Sequence, residues 1–315
     1  MRTLLGIVLV VACADSSSRP PTPTPTPGPG PKPTSAGDRG FVPRCGTEHA
    51  PQPQHDASPM CLVPAAEFVM GTPVDPKRPE DGPARRVRIS KSFYLDQYEV
   101  TVEQYARFLR ARGNNRCGEA GHWCHGSSAP GPIDLRSGRY EVKPGTERLP
   151  IDVVVAGAEA YCAWAGKRLP TEAEWELAAR HDPKTGEDRV YPWGNTYRRG
   201  VTNAFEAIEP KRGTFAPVGA FAEDRSAIGA YDMGGNRSEW VADCFSTTFD
   251  CAEPCVDPRV TTGCERICTE GTSIECAPGR QLRGGDRMSD PQYLASKHRH
   301  AVMPVWSGGG IRCAL

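Results

Sequence analysis

Apolar and polar residues alternate along Cys61–Thr72 (CLVPAAEFVMGT), with Phe68 and Met70 two apart on one face, as in a half-buried strand. Val87-Arg88-Ile89 and Phe93-Tyr94-Leu95 repeat the pattern and predict two further strands. Between the first stretch and Val87, Asp75–Arg86 reads as a charged, proline-bearing loop. The period then changes. Val102, Tyr105, Phe108 and Leu109 fall on one face of a helix, and Thr101 with Gln104 forms a capping box ahead of it. A second helix is predicted over about 156–165, closed by Gly166, which can adopt the left-handed conformation, and by Pro170, which cannot continue it. Thr171 and Glu174 form another capping box, and Pro170 with Trp175 a hydrophobic staple, so a third helix starts at once.

Composition narrows the class. Lysine plus arginine equals aspartate plus glutamate at 38 each, so the chain lacks the basic surplus that binding nucleic acid would need. With 33 glycines and 31 prolines, a loop-rich fold is expected rather than a helical bundle. Without its ends the chain is about 250 residues, enough for one large core.

The N-terminus reads as an address. Arg2 precedes a short apolar run, Leu4–Val11, that cannot span a bilayer. Val10-Val11-Ala12-Cys13 resembles a bacterial lipobox, in which Cys13 becomes the acylated N-terminus; an ordinary signal peptide cut nearby is the alternative. Residues 1–13 are thus expected to be a lipoprotein signal peptide, 14–44 a Pro/Thr-rich linker and 45–315 the folded domain. The alternating Pro-Thr run at 21–27 favours extended polyproline II, suited to a stalk at a membrane, although a disordered leader is also consistent with it.

Twelve cysteines remain after Cys13, an even number that in an exported chain reads as a disulfide set. Proximity suggests Cys45–Cys61 and Cys117–Cys124. The six from Cys244 to Cys276 are expected to pair among themselves, stapling a loop that cannot build its own core; their two C-x3-C spacings leave zinc as the alternative. His122 and His125 beside Cys117 and Cys124, in the Gly-rich insertion Asn114–Lys143, could ligate a metal but fit a disulfide with incidental histidines better.

Several stretches are specific. Cys61–Thr72 is similar to the opening "VPGGxFxMGS" of the formylglycine-generating enzyme (sulfatase-modifying factor) family, and Glu99–Leu109 (EVTVEQYARFL) is typical of it. The resemblance continues through AGKRLPTEAEWELAAR at 165–180, Tyr191–Asn195 (YPWGN), the "GLYDMxGNVWEW"-like run Gly229–Trp240, and the RGG and IRCA stretches near the C-terminus. It implies a single α+β domain of the formylglycine-generating-enzyme type, a C-type-lectin-like variant rich in irregular structure. It also implies calcium, with Asn236 and Glu239 as ligands in the Gly-led turn, and a second site at Asn203 whose downstream aspartate position holds Pro210, with Glu209 beside it. A polar turn wired into the backbone without metal is the alternative. A Cys162–Cys313 disulfide follows from the resemblance as well.

The family's oxidation of a substrate cysteine relies on two cysteines after RGGS that bind copper(I). Here Asp286 replaces the serine, and a gap-free count puts Ser289 and Leu294 at the two cysteine positions. Neither can serve as a thiolate ligand, so copper is not expected. Arg283, Asp286, His298, Arg299 and His300 remain as candidate binding residues. His298 and His300 would face one side of a strand and could hold a transition metal, although a solvated basic strand explains the run equally. Two functions follow: an envelope lipoprotein that binds a protein, peptide or glycan ligand, anchored to the membrane by lipid, or a formylglycine-generating oxidase or related enzyme with a variant site.

Overall fold

A computed structural model describes residues 41–48, 55–73, 75, 77–117, 122–123, 131–206, 213–248, 251–268, 276–303 and 308–315. Cys13, the Pro/Thr stretch, Cys124, His125, Glu209 and Pro210 lie outside the described residues. No helix among the described residues is long and apolar enough to cross a membrane.

The alternation over 61–72 resolves into two strands rather than one, Met60–Val63 and Ala66–Met70. Pro64 stands between them, and a residue without an N–H cannot continue a ladder. The first strand pairs with Phe93–Asp96 and with Cys45–Gly46, placing Cys45 opposite Cys61, its disulfide partner. The second pairs with Arg85–Ile89 and buries Phe68 and Met70 while Val69 stays exposed. A third sheet orders Glu239–Cys244, Arg280–Arg283 and Arg299–Val302, all antiparallel.

Helix α1 spans Val102–Arg112, α2 Val155–Trp164 and α3 Glu172–Arg180. Both capping boxes close: the Gln104 amide donates to Thr101 Oγ1 at 3.3 Å, and the Glu174 amide to Thr171 Oγ1 at 3.2 Å. Gly166 takes φ 75°, the left-handed turn that separates α2 from α3.

Two apolar clusters result. Tyr105 and Phe108 of α1 meet Tyr161 of α2, together with Trp240 and Ile311. Trp175 and Leu177 of α3 pack with Phe68, Met70, Val87, Ile89 and Met233. The C-terminal segment runs between these elements, bridging Gly309 to Val153 and Ala314 to both Leu95 and Arg168. A Cβ on Gly309 would stand 2.6 Å from Trp240 Nε1, so only glycine permits this approach. Cys162–Cys313 fastens the segment to α2, the pairing that the resemblance implies. The excursion after Glu239–Cys244 holds Cys244–Cys264, Cys251–Cys255 and Cys268–Cys276 around a small cluster of Phe245, Ile267 and Met303. Disulfides thus supply what that cluster is too small to provide.

Candidate functional site

The Arg280–Arg283 strand ends in Gly284-Gly285 and a tight turn. Asp286 closes the turn: its amide donates to Ser289 Oγ at 2.9 Å, and its Oδ1 accepts from the Met288 amide at 2.7 Å. A short 3-10 turn, Pro291–Tyr293, then delivers Leu294, which is 1% exposed. A Cβ on Gly285 would meet Leu294 Cδ2 at 2.6 Å and Ser289 Cβ at 3.4 Å, so both side chains flank the same glycine. The pair of positions is therefore spatially joined, and it holds a hydroxyl committed to the Asp286 amide and an alkyl group filling the space. Asp286 Oδ2 also lies 3.5 Å from Arg237, which reaches Asp152 at 3.0 Å.

Arg283 and Arg299, expected to bind a ligand, point the other way. Arg283 is fully buried and donates to Glu172 at 2.6 Å, Glu176 at 2.7 Å and the Ser296 carbonyl at 2.6 Å. Arg299 chelates Glu172 at 2.6 and 2.9 Å and caps the Ser246 and Glu80 carbonyls. Burial works to raise the Glu172 carboxyl, but Arg299 and Arg283 outweigh it and hold its pKa below the ordinary value. Their guanidinium groups are structural, and the reading of a solvated basic strand is corrected accordingly.

His298 and His300 do share one side, with ring centroids 6.4 Å apart. They differ in surroundings: His300 is exposed, whereas His298 is 6% exposed with Nδ1 3.0 Å from Asp81 Oδ1. Asp81 belongs to a 3-10 turn, Pro79–Asp81, inside the loop read as merely charged. It also accepts from Arg78 and from the Arg299 amide. Burial would raise its carboxyl, but the His298 and Arg78 contacts outweigh it and hold the pKa at about 2. Nothing in the local sequence pattern marks Asp81, because its partner is 217 positions away.

The Gly-led turn holds the two side chains of the expected ligand pair in different surroundings. Asn236 takes φ 65°, and its Oδ1 accepts from Asn203 Nδ2 and the Ala216 amide, each at 2.9 Å. Glu239 faces elsewhere, accepting from Arg312 at 2.7 Å and from Trp175 Nε1 at 2.7 Å. Its oxygens thus accept from two N–H-bearing side chains, as Asp224 accepts from Thr202 Oγ1 and the Gly234 amide and Asp232 from the Gly219 amide. The other carboxyls gathered near the turn are Glu99, Asp224 and Asp232. Glu99 accepts from Asn236 Nδ2 at 2.6 Å, and burial with Asp232 and Glu239 nearby pushes its pKa well up. Burial pushes Asp224 up to about 8 and Asp232 up to about 6. Among the described residues neither meets a lysine or arginine at ion-pair distance. A cavity of about 370 Å³ opens beside Glu99, lined by Tyr98, Gln104, Arg107, Arg148 and Val218 among others.

Comparison with known proteins adds to this geometry. A model of the sulfatase-modifying factor enzyme 1-like domain matches residues 46–315. A formylglycine-generating enzyme of Thermomonospora curvata is 36% identical over 265 residues, covering 71% of this chain and 85% of that protein. An inactive C-alpha-formylglycine-generating enzyme 2 of Mus musculus is 33% identical over 303 residues, covering 86% and 89%. The solved structure of PvdO from Pseudomonas aeruginosa superposes with a TM-score of 0.59 at 28% identity, over 82% of this chain and 95% of that one.

Proposed function

The chain belongs to the sulfatase-modifying factor family, and on that footing we propose that it is an envelope-anchored binding module without the family's copper oxidase site. Its domain is the family's α+β, C-type-lectin-like variant. One observation carries the reading: Ser289 and Leu294 flank Gly285 where the family places its two thiolates. A soft monovalent copper ion gains nothing from an alkyl group and little from a neutral hydroxyl. The similarity to a protein named as an inactive member supports loss of activity within the family. The module's ligand is a polypeptide or glycan of the bacterial envelope. Its test is whether a sulfatase cysteine peptide keeps its mass when incubated with the protein and copper.

Anchoring rests on Val10-Val11-Ala12-Cys13. Cys13→Ala is expected to leave an unprocessed precursor or to move the protein out of the membrane fraction. An acyl-free wild-type chain starting at another residue, seen by mass spectrometry, overturns the anchor.

Calcium is part of the same reading, with its oxygens drawn from the carboxyls and carbonyls around the turn, Asp224 and Asp232 among them. The acid pair supplies the test. Asp224 holds its proton up to about 8 in the fold against 3.8 ordinarily, so without a cation its contribution is full below pH 4 and lost as pH rises to 8. A bound divalent ion removes that loss. Chelation is therefore expected to lower the melting temperature more at pH 8 than at pH 5. Melting unaffected by chelator at both pH values contradicts calcium.

A further inference from the structure

We propose that His298, His300 and Glu80 form a binding site for a divalent transition-metal ion of the zinc class, with Asp81 as the carboxylate that orients His298. Asp81 Oδ1 lies 3.0 Å from His298 Nδ1. An ionised carboxylate only accepts, so the Nδ1 nitrogen carries the proton and, in the neutral ring, Nε2 carries the lone pair. This is the arrangement found behind metal-bound histidines, where a carboxylate fixes both the tautomer and the ring orientation. Arg78 pairs with Asp81 and lies 3.3 Å from the same Nδ1, so the Asp81 carboxylate is shared between the guanidinium and the ring.

Of the remaining donors, Glu80 already lies beside His298, and His300 has to move toward it. Ligand atoms of Glu80, Asp81 and His298 lie within 4.8 Å of one another. Asp81 is already committed to His298, Arg78 and the Arg299 amide, whereas the Glu80 carboxylate has no hydrogen bond or ion pair among the described residues. The His300 ring lies on the same side as His298, with its centroid 6.4 Å away. An ion–nitrogen distance of about 2.1 Å puts each ring centroid about 3.3 Å from a shared ion, so at the tetrahedral angle two such rings stand about 5.4 Å apart. The observed separation is about 1 Å longer than that, so the exposed His300 side chain turns toward His298 when both hold the ion. Two imidazoles and one carboxylate suit a borderline ion such as zinc and leave a coordination position open to water or an anionic ligand.

The test uses the untagged full chain, stripped with chelator and titrated with zinc in a calorimeter, with cobalt(II) absorption reporting the ligand field. One ion per chain is expected. His300→Ala and Glu80→Gln should each weaken binding at least tenfold, and Asp81→Asn by about 10–100-fold through loss of the orienting contact. His300 is exposed and Glu80 unpartnered, so both variants should melt like the wild type when metal-free. Absence of stoichiometric zinc in the wild type overturns the site. Binding unchanged in the His300→Ala, Glu80→Gln double variant overturns it too, because the ion is then held elsewhere, as by His122 and His125.

Discussion

A Glu172→Gln protein is expected to lose about 3–5 kcal/mol of folding stability, the usual cost of breaking a buried ion pair by removing one partner. For a domain of this size the melting temperature should fall by roughly 6–20 °C. Glu172 is 1% exposed and accepts from Arg283 and Arg299 through both oxygens. Glutamine keeps the shape but removes the charge and points an amide donor at a guanidinium, so two buried cations lose their shared counter-charge. The consequence spreads, because Arg299 also caps carbonyls of Ser246 and Glu80 and so ties α3 to the third sheet and to the 79–81 turn. Glu159→Gln is the matched control. Its ion pair with Arg280 has a half-exposed carboxylate, and its loss should cost under about 1 kcal/mol. Urea denaturation of both variants measures the difference, and equal effects would remove Glu172 from the centre of the network.

The contrast between these two glutamates also marks what the sequence can reveal. Helix starts were legible because a capping box is local: Thr101–Gln104 and Thr171–Glu174 each span three positions, and both form. Disulfides within the cysteine-rich excursion were legible from crowding, and Cys162–Cys313 from the family resemblance. The strand over 61–72 was half legible. Its alternation marked the right buried side chains, but Pro64 divides it.

Buried charge was not legible at all. Arg299 and His298 lie in a run that looks solvated, and Asp81 in a loop that looks exposed. Their partners come from 127 and 217 positions away, so no window of sequence contains both halves. The surroundings of Glu239 were hidden for the same reason. Its spacing from Asn236 suggested a shared ion, while Arg312, from the C-terminal segment, takes its oxygens. The candidate copper positions were readable from the family resemblance, because a short gap-free count from Gly284-Gly285 reaches both, and the fold brings Ser289 and Leu294 against one glycine.

That juxtaposition leads to the second large effect, a loss of oxidase activity that should be complete. The wild-type chain is expected to form no formylglycine from a cysteine peptide of sulfatase type, with or without copper(I). Leu294 offers no electron pair, and Ser289 Oγ is engaged by the Asp286 amide at 2.9 Å. Introducing Ser289→Cys with Leu294→Cys should create a copper(I) site, since two thiolates would then flank Gly285. Turnover is not expected to return, because Asp286 stands where the family has serine and holds the turn through Ser289 and Met288. The most direct measurement is the mass of the peptide after incubation with the unmodified protein and copper(I). An unchanged cysteine mass is the expected result, whereas copper-dependent conversion of that cysteine to the aldehyde would contradict the binding-module account.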